Sequence, residues 1–205
     1  MAMRACAIVG AGDFYPSRFQ SDKYDFIIAA DGGYEKLLSI GVVPNLVIGD
    51  FDSGRVPKDI EYLRYKVEKD ETDMHLAFLE GVRRGYDAFY IFGGVGGSED
   101  HTFANYCLLY HAKKQGKQMY LIEKNAYWLV IENEAVRLCG KAGGRLSVFA
   151  FGGEAEGVSI KGAKYEASEV KLTCDFPLGV SNSFKEAPVE ISVKRGALLI
   201  MAENK

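Results

Sequence analysis

The sequence predicts an α/β first half, with a mostly parallel sheet and helices on both faces, followed by an antiparallel second half built as a sandwich or barrel. Three observations carry this. Up to about residue 124, short continuous apolar runs alternate with helix-like segments, the pattern of strands buried on both faces of an α/β sheet. Four glycine or aspartate clusters follow predicted strands in that half. Beyond residue 125 the runs are short and separated by glycine, which suits antiparallel strands and tight turns. The 205 residues are therefore read as two domains, 1–124 and 125–205.

Taken in order, residues 5–9 form a buried strand ending at Gly10, and 26–30 a second ending at Asp31-Gly32-Gly33. Residues 34–40 have helical character and stop at Gly41; 46–48 is a third strand, ending at Gly49-Asp50. Thr72 is a helix N-cap, after which Met74, Ala77, Phe78, Gly81 and Val82 repeat at one-face helical spacing. Residues 88–92 are a strand running into Gly93-Gly94, 101–114 a largely buried helix, and 119–122 the closing strand. In the second half, 127–131, 145–151, 158–160, 189–193 and 197–201 are strand candidates. Val189, Ile191 and Val193 alternate with polar residues, a half-buried pattern. Gly143-Gly144, Gly152-Gly153 and Gly196 are turn candidates.

Composition excludes several classes. Formal net charge is −3, without the basic excess of a nucleic-acid binder. No run approaches the roughly 20 apolar residues that span a bilayer, and the N-terminus does not read as a signal peptide; the expectation is a soluble cytoplasmic protein. Cys6, Cys107, Cys139 and Cys174 have no C-x-x-C spacing, so they are read as buried free thiols rather than a zinc site. His75 and His111 are read as surface or satisfied residues, and Trp128 as core. Eleven of the twelve aspartates precede residue 110, the twelfth being Asp175. Short, stiff carboxylates suit turns, helix caps and Mg²⁺ shells.

The four clusters are Asp31-Gly32-Gly33, Gly49-Asp50-Phe51-Asp52-Ser53, Asp70-Glu71-Thr72-Asp73, and the stretch from Gly93 through Gly94, Gly96, Gly97 and Ser98 to Asp100. In an open parallel sheet the loops at the carboxyl ends of strands share one edge, where ligands bind. Glycines let backbone N–H groups approach phosphates; aspartates offer Mg²⁺ hard oxygen ligands. Asp50 and Asp52, two apart, point to one side of an extended segment and repel unless a cation lies between them. Gly10-Ala11-Gly12-Asp13 is reminiscent of a dinucleotide fingerprint, but Tyr15 stands in the place of its third glycine. His101 lies beside the last cluster.

These clusters, in this order, resemble those of the thiamine pyrophosphokinase family: GVVPNLVIGDFDS at 41–53, DETD at 70–73, GGVGGSEDHTFAN at 93–105 and Gly179-Val180-Ser181-Asn182. The resemblance implies an α/β nucleotide- and Mg²⁺-binding catalytic domain, 1–124, and a C-terminal β-sandwich, 125–205, that binds thiamine and dimerises. It implies pyrophosphoryl transfer from ATP to the hydroxyethyl oxygen of thiamine, leaving AMP. It implies Mg²⁺ on Asp50, Asp52 and Asp73; a nucleotide site lined by Asp31, Gly32, Gly33, Asp50, Thr72, Gly94 and Gly97; Asp73 and Asp100 as catalytic carboxylates; and Ser181 and Asn182 near thiamine, with Phe184 a candidate ring contact. The expected partners are ATP, thiamine and a second copy of the chain, with no nucleic acid and no membrane. Where many relatives carry Arg and Lys, this sequence has Ser98 and Leu76; Arg83, Arg84 and Lys69 are candidate substitutes. Another phosphotransferase on the same site, or a binder that has lost turnover, are the competing readings.

Overall fold

The computed structural model describes residues 3–50, 59–66, 70–185 and 188–203. The chain divides into two compact units, 1–124 and 125–205. In the first, six strands are β1 (Ala5–Val9), β2 (Phe26–Ala30), β3 (Leu46–Gly49), β4 (Glu61–Arg64), β5 (Ala88–Phe92) and β6 (Gln118–Ile122). The helices are α1 (Gly33–Ser39), α2 (Asp73–Arg83) and α3 (Glu99–Lys114).

The strands pair in the order β4-β3-β2-β1-β5-β6, and every ladder in this unit is parallel. The chain builds outward from β1 to β4, then returns to lay β5 and β6 on the other side of β1. Strand order therefore reverses between β1 and β5, whose ends meet in the pair Val9 and Phe92. Alternate residues face opposite ways. Ala7, Val9, Ile27, Ala29, Val47 and Phe92 form one cluster with Leu37 of α1. Phe89, between them in the alternation, packs edge-on against Phe78 of α2 at 4.9 Å.

Helix α2 starts where expected: the Thr72 side chain accepts the His75 N–H at 3.2 Å. It buries Glu80 along with its apolar residues, because Arg83 and Arg84 both bond that carboxylate. Helix α3 departs from the expectation of a largely buried helix. Only Asn105, Leu108, Leu109 and Ala112 are buried, a single stripe at helical spacing, and Phe103 stays 63% exposed. Three of the four thiols expected to be buried are exposed; only Cys6 is enclosed.

The second unit holds β7 (Ala126–Glu132), β8 (Ala135–Leu138), β9 (Arg145–Lys161), β10 (Ala167–Leu172), β11 (Asn182–Ser183), β12 (Val189–Ser192) and β13 (Arg195–Glu203). Its ladders are antiparallel, so pairing over the whole chain is mixed. The two runs expected as separate strands at 145–151 and 158–160 are one strand, β9. Its first part pairs with β13 and β11, its last part with β12 and β10. Gly152 and Gly153, with φ of 73° and 148°, let the strand pass from one set of partners to the other instead of ending it. Gly196 marks a register shift inside β13 rather than a turn. Among the described residues no helix is long and apolar enough to cross a membrane.

Candidate active site

An open cleft of about 260 Å³ lies in the first unit. The loops that follow β1 and β5 form much of its lining, through Gly10, Ala11 and Gly12 on one side and Gly93, Gly94, Gly96 and Gly97 on the other. It therefore opens at the carboxyl ends of the two strands between which strand order reverses, the position where open α/β sheets bind ligands. The two loops are stitched together: Gly10 N–H donates to the Phe92 carbonyl at 2.8 Å, Gly12 N–H to Gly93 at 2.8 Å, and Asp13 N–H to Val95 at 2.6 Å. This closeness requires glycine. A Cβ on Gly12 would lie 2.2 Å from the Val95 carbonyl oxygen, and one on Gly93, at φ 63°, 2.4 Å from that of Gly10.

The N-caps of two helices, Thr72 of α2 and Ser98 of α3, also line the cleft. The positive dipole ends of both helices thus meet there, which favours an anionic ligand. Asn105, buried in α3, donates from Nδ2 to the Gly94 carbonyl at 2.7 Å and holds the second loop to the helix. Asp31, Asp73 and His101 complete the polar lining. Asp31 adopts a left-handed φ of 49°, which Asp tolerates better than most residues. Its N–H donates to the Ile48 carbonyl at 2.8 Å, tying the end of β2 to β3.

Of the residues singled out from the sequence, the cleft gathers Asp31, Thr72, Asp73, Gly94 and Gly97. Gly32 and Gly33 stand just behind it. A Cβ on Gly33 would fall 1.8 Å from the Val9 carbonyl oxygen, so this glycine serves the packing of α1 on β1. Asp50 follows β3, half-buried; Asp52, Phe51 and Ser53 lie outside the described residues, as does Lys69. Asp100 is exposed and outside the lining. Its carboxylate accepts a hydrogen bond from Ser98 and the N–H of His101, which hold it below the usual carboxylate range.

His101, which the sequence places beside the last cluster, does line the cleft, whereas Gly10, Gly12 and Asn105 are site formers that the sequence reading does not single out. Gly10 and Gly12 were visible as a glycine pair after a strand, measured against the wrong template. Leu76 is buried in α2, 8% exposed, and does not line the cleft. Arg83 and Arg84 sit at the far end of α2, bonded to Glu80 and, for Arg84, to Glu61, so neither serves the cleft. His75 is neither at the surface nor satisfied as expected: its Nε2 is buried and has no hydrogen-bond partner among the described residues, and its ring meets that of His111 edge-on at 5.0 Å. Burial and the neighbouring imidazole push its pKa down.

In the second unit Asn182 is buried. Its side chain accepts the Tyr165 N–H at 2.9 Å and donates to the Tyr165 carbonyl at 2.7 Å. Ser181, at φ 62°, donates its N–H to the Ser147 hydroxyl at 3.2 Å. Phe184 is core, 1% exposed, and Trp128 is half-buried, stacked on Phe149 with ring centroids 6.1 Å apart.

Two family models match the chain, one in each half. The model of the thiamin pyrophosphokinase catalytic domain matches residues 20–121, and that of the thiamin pyrophosphokinase vitamin B1 binding domain matches 134–198. A thiamine pyrophosphokinase of Bacillus subtilis (strain 168) is 28% identical over 189 residues, 88% of each chain. Among solved structures, thiamine pyrophosphokinase from Bacillus subtilis superposes with a TM-score of 0.88 at 23% identity, covering 98% of this chain and 100% of that one. Thiamin pyrophosphokinase from Candida albicans gives 0.80 at 15% identity, with 99% and 89% covered.

Proposed function

The chain belongs to the thiamin pyrophosphokinase family, and from that membership we propose that the cleft between the β1 and β5 loops is where it holds the phosphates of ATP. The reaction is transfer of the pyrophosphoryl group of ATP to the hydroxyethyl oxygen of thiamine, giving thiamine diphosphate and AMP. The observation that carries the cleft assignment is the meeting of two helix N-termini with two glycine loops at the point of strand-order reversal.

Phosphoryl chemistry depends mostly on positioning and charge stabilisation. In this reading the 93–97 loop, fastened by Asn105, and the 10–12 loop form the phosphate cradle. The N-termini of α2 and α3 stabilise the charge that shifts onto the leaving phosphate. Asp73 lines the cleft and Asp50 follows β3, the neighbour of the strand that Asp31 follows; both offer the hard oxygen that Mg²⁺ takes. Among the described residues no three such side chains form a metal cage. The donor chemistry fits with Asp52 as the third, and Asp50, Asp52 and Asp73 are the residues we assign to Mg²⁺. A Mg²⁺ ion held by these carboxylates would supply positive charge against that of the polyphosphate. For the hydroxyl proton of thiamine we choose Asp73 over Asp100. Asp73 lines the cleft, whereas Asp100 stands outside it.

We assign thiamine binding and homodimer formation to the second unit. The match of the vitamin B1 binding domain supports the first. The second is supported by Phe176, Leu178 and Val180, which are 63%, 64% and 49% exposed beside Ser181 and Asn182, since exposed apolar groups of this kind mark association surfaces. We also read the second unit as a β-sandwich, the first as a parallel sheet with α1 on one face and α2 on the other, and the protein as cytoplasmic.

The test is AMP release from Mg·ATP with and without thiamine, with thiamine diphosphate identified by mass. Thiamine-dependent AMP is expected; ADP in its place would mean attack on the γ-phosphorus and a misplaced nucleotide. Asp73→Asn should fold and lose on the order of 10²-fold in turnover, the scale of one preorganised electrostatic group. Turnover near that of the unmodified protein would remove Asp73 from the site.

A further inference from the structure

A polyphosphate cleft needs positive charge, yet none of its described lining residues is Lys or Arg; the charged side chains there are Asp31 and Asp73. One ammonium stands immediately behind the lining. Lys36, near the middle of α1, extends its side chain to the 10–12 loop. Its Nζ donates to the Ala11 carbonyl at 2.5 Å and to the Gly12 carbonyl as well. Ala11 and Gly12 both line the cleft. Their carbonyls are turned back toward α1 by this contact, while the N–H groups of Gly12 and Asp13 are spent on the 93–97 loop. The ammonium thus both fixes the loop and places a full charge one peptide layer from the cleft.

We propose that Lys36 is a positioning residue of the nucleotide site, holding the 10–12 loop in shape and drawing the anionic tail of the nucleotide toward the β1 side of the cleft. This rests on the cleft being the nucleotide site. Three features favour it over a purely structural lysine. A lysine that only covers a helix keeps its head in water, whereas this one is half-buried with its charge on two main-chain oxygens. Burial lowers its pKa, a cost opposed by the carboxylate of Asp13. Asp13 is itself committed elsewhere: Tyr15 donates its hydroxyl to Asp13 Oδ2 at 3.3 Å, and the carboxylate fills the space where a Gly96 side chain would stand. The Lys36 charge is therefore only partly neutralised, and through a backbone layer of low polarity it is worth roughly tenfold in the binding of a polyanion.

The charge on the ligand separates this from a structural role. Binding of Mg·ATP, AMP and adenosine is measured by calorimetry for the unmodified protein, Lys36→Met and Lys36→Arg. The expected result for Lys36→Met is a loss of roughly tenfold for Mg·ATP, a smaller loss for AMP and none for adenosine. KM for Mg·ATP should rise while kcat holds within about threefold, the split expected of lost uniform binding. Lys36→Arg, which keeps charge and donors, should restore most of the affinity. Equal losses for all three ligands would show a collapsed loop and overturn the charge role; unchanged affinity for all three overturns the proposal outright. Asp73→Asn serves as control. If it impairs Mg·ATP turnover while Lys36→Met changes nothing, Lys36 alone is wrong; if neither variant has an effect, the cleft assignment falls and the proposal with it.

Discussion

Gly33 is the residue at which a reading from sequence and a reading from structure part most clearly. In an Asp-Gly-Gly turn its glycine suggests close approach by a phosphate. In the structure its missing side chain makes room for the Val9 carbonyl, whose oxygen would lie 1.8 Å and whose carbon 2.5 Å from an added Cβ. Both are backbone atoms of a strand paired on each side, so the strand cannot yield. In Gly33→Ala, helix α1 would have to retreat by about 1.6 Å to reach ordinary contact. That strain costs about 1–3 kcal/mol. It also draws Leu37, 0% exposed and set among Val9, Ala29 and Val47, part of the way out of the core, forfeiting some fraction of the roughly 1.5–3 kcal/mol its burial provides. Replacing glycine in a helix returns at most about 1 kcal/mol. A net loss of about 3 kcal/mol is expected. With a urea m-value near 2 kcal/mol/M, the unfolding midpoint of the first unit falls by roughly 1.5 M at unchanged m. Far-UV dichroism against urea measures it. An unchanged or raised midpoint would refute the packing argument and return Gly33 to the nucleotide.

Two further substitutions test other joints of the fold. Glu80→Gln removes a carboxylate whose side chain is 7% exposed and which Arg83 and Arg84 both bond. The Arg83 contact is at the surface and contributes little; losing the Arg84 contact should cost about 2 kcal/mol at neutral pH. Hydrogen bonding by Arg83 first, then Arg84, lowers the folded pKa of Glu80. Its contribution is therefore complete above the unfolded carboxyl value of roughly 4.3 and disappears as pH falls through the lower folded value. Urea midpoints of the two proteins should converge in acid, and a gap that persists there would contradict the ion-pair reading. Asn182→Ala strips two backbone groups of Tyr165 of their partner and should destabilise the second unit by about 2–4 kcal/mol. Intact stability with loss of thiamine binding alone would make Asn182 a ligand contact instead of a structural one.

What was legible in the sequence follows from where each signal originates. Strands β1, β2 and β5 fall at 5–9, 26–30 and 88–92 as read, because a strand buried on both faces is a continuous apolar run and a glycine or aspartate ends it. Strand β4, Glu-Tyr-Leu-Arg, has three exposed positions at the sheet edge and carries no such run; β10 is similarly exposed. Strand β9 was divided at Gly152-Gly153 because a glycine pair does not say whether the chain turns back or bends. Here the partners decide, since β13 takes one part and β12 the other. The site obeys the same rule. That carboxyl-end loops converge follows from parallel strands alone, so Asp31, Thr72, Asp73 and the 93–97 glycines were within reach. Which loops share a wall depends on strand order, and β5 lands beside β1 only in the folded sheet. This adjacency makes Gly10 and Gly12 part of the cleft and leaves Gly32 and Gly33 behind it. It also decides where charge can come from. Arg83 and Arg84 follow an aspartate-headed helix closely in sequence, yet a helix of 11 residues carries them about 15 Å from its N-terminus, onto Glu80 and Glu61. Lys36 lies 24 residues from Gly12 in the chain and bonds its carbonyl. A search for the missing cation therefore has to follow the fold across the β1–β2 crossover, which no spacing rule along the chain describes.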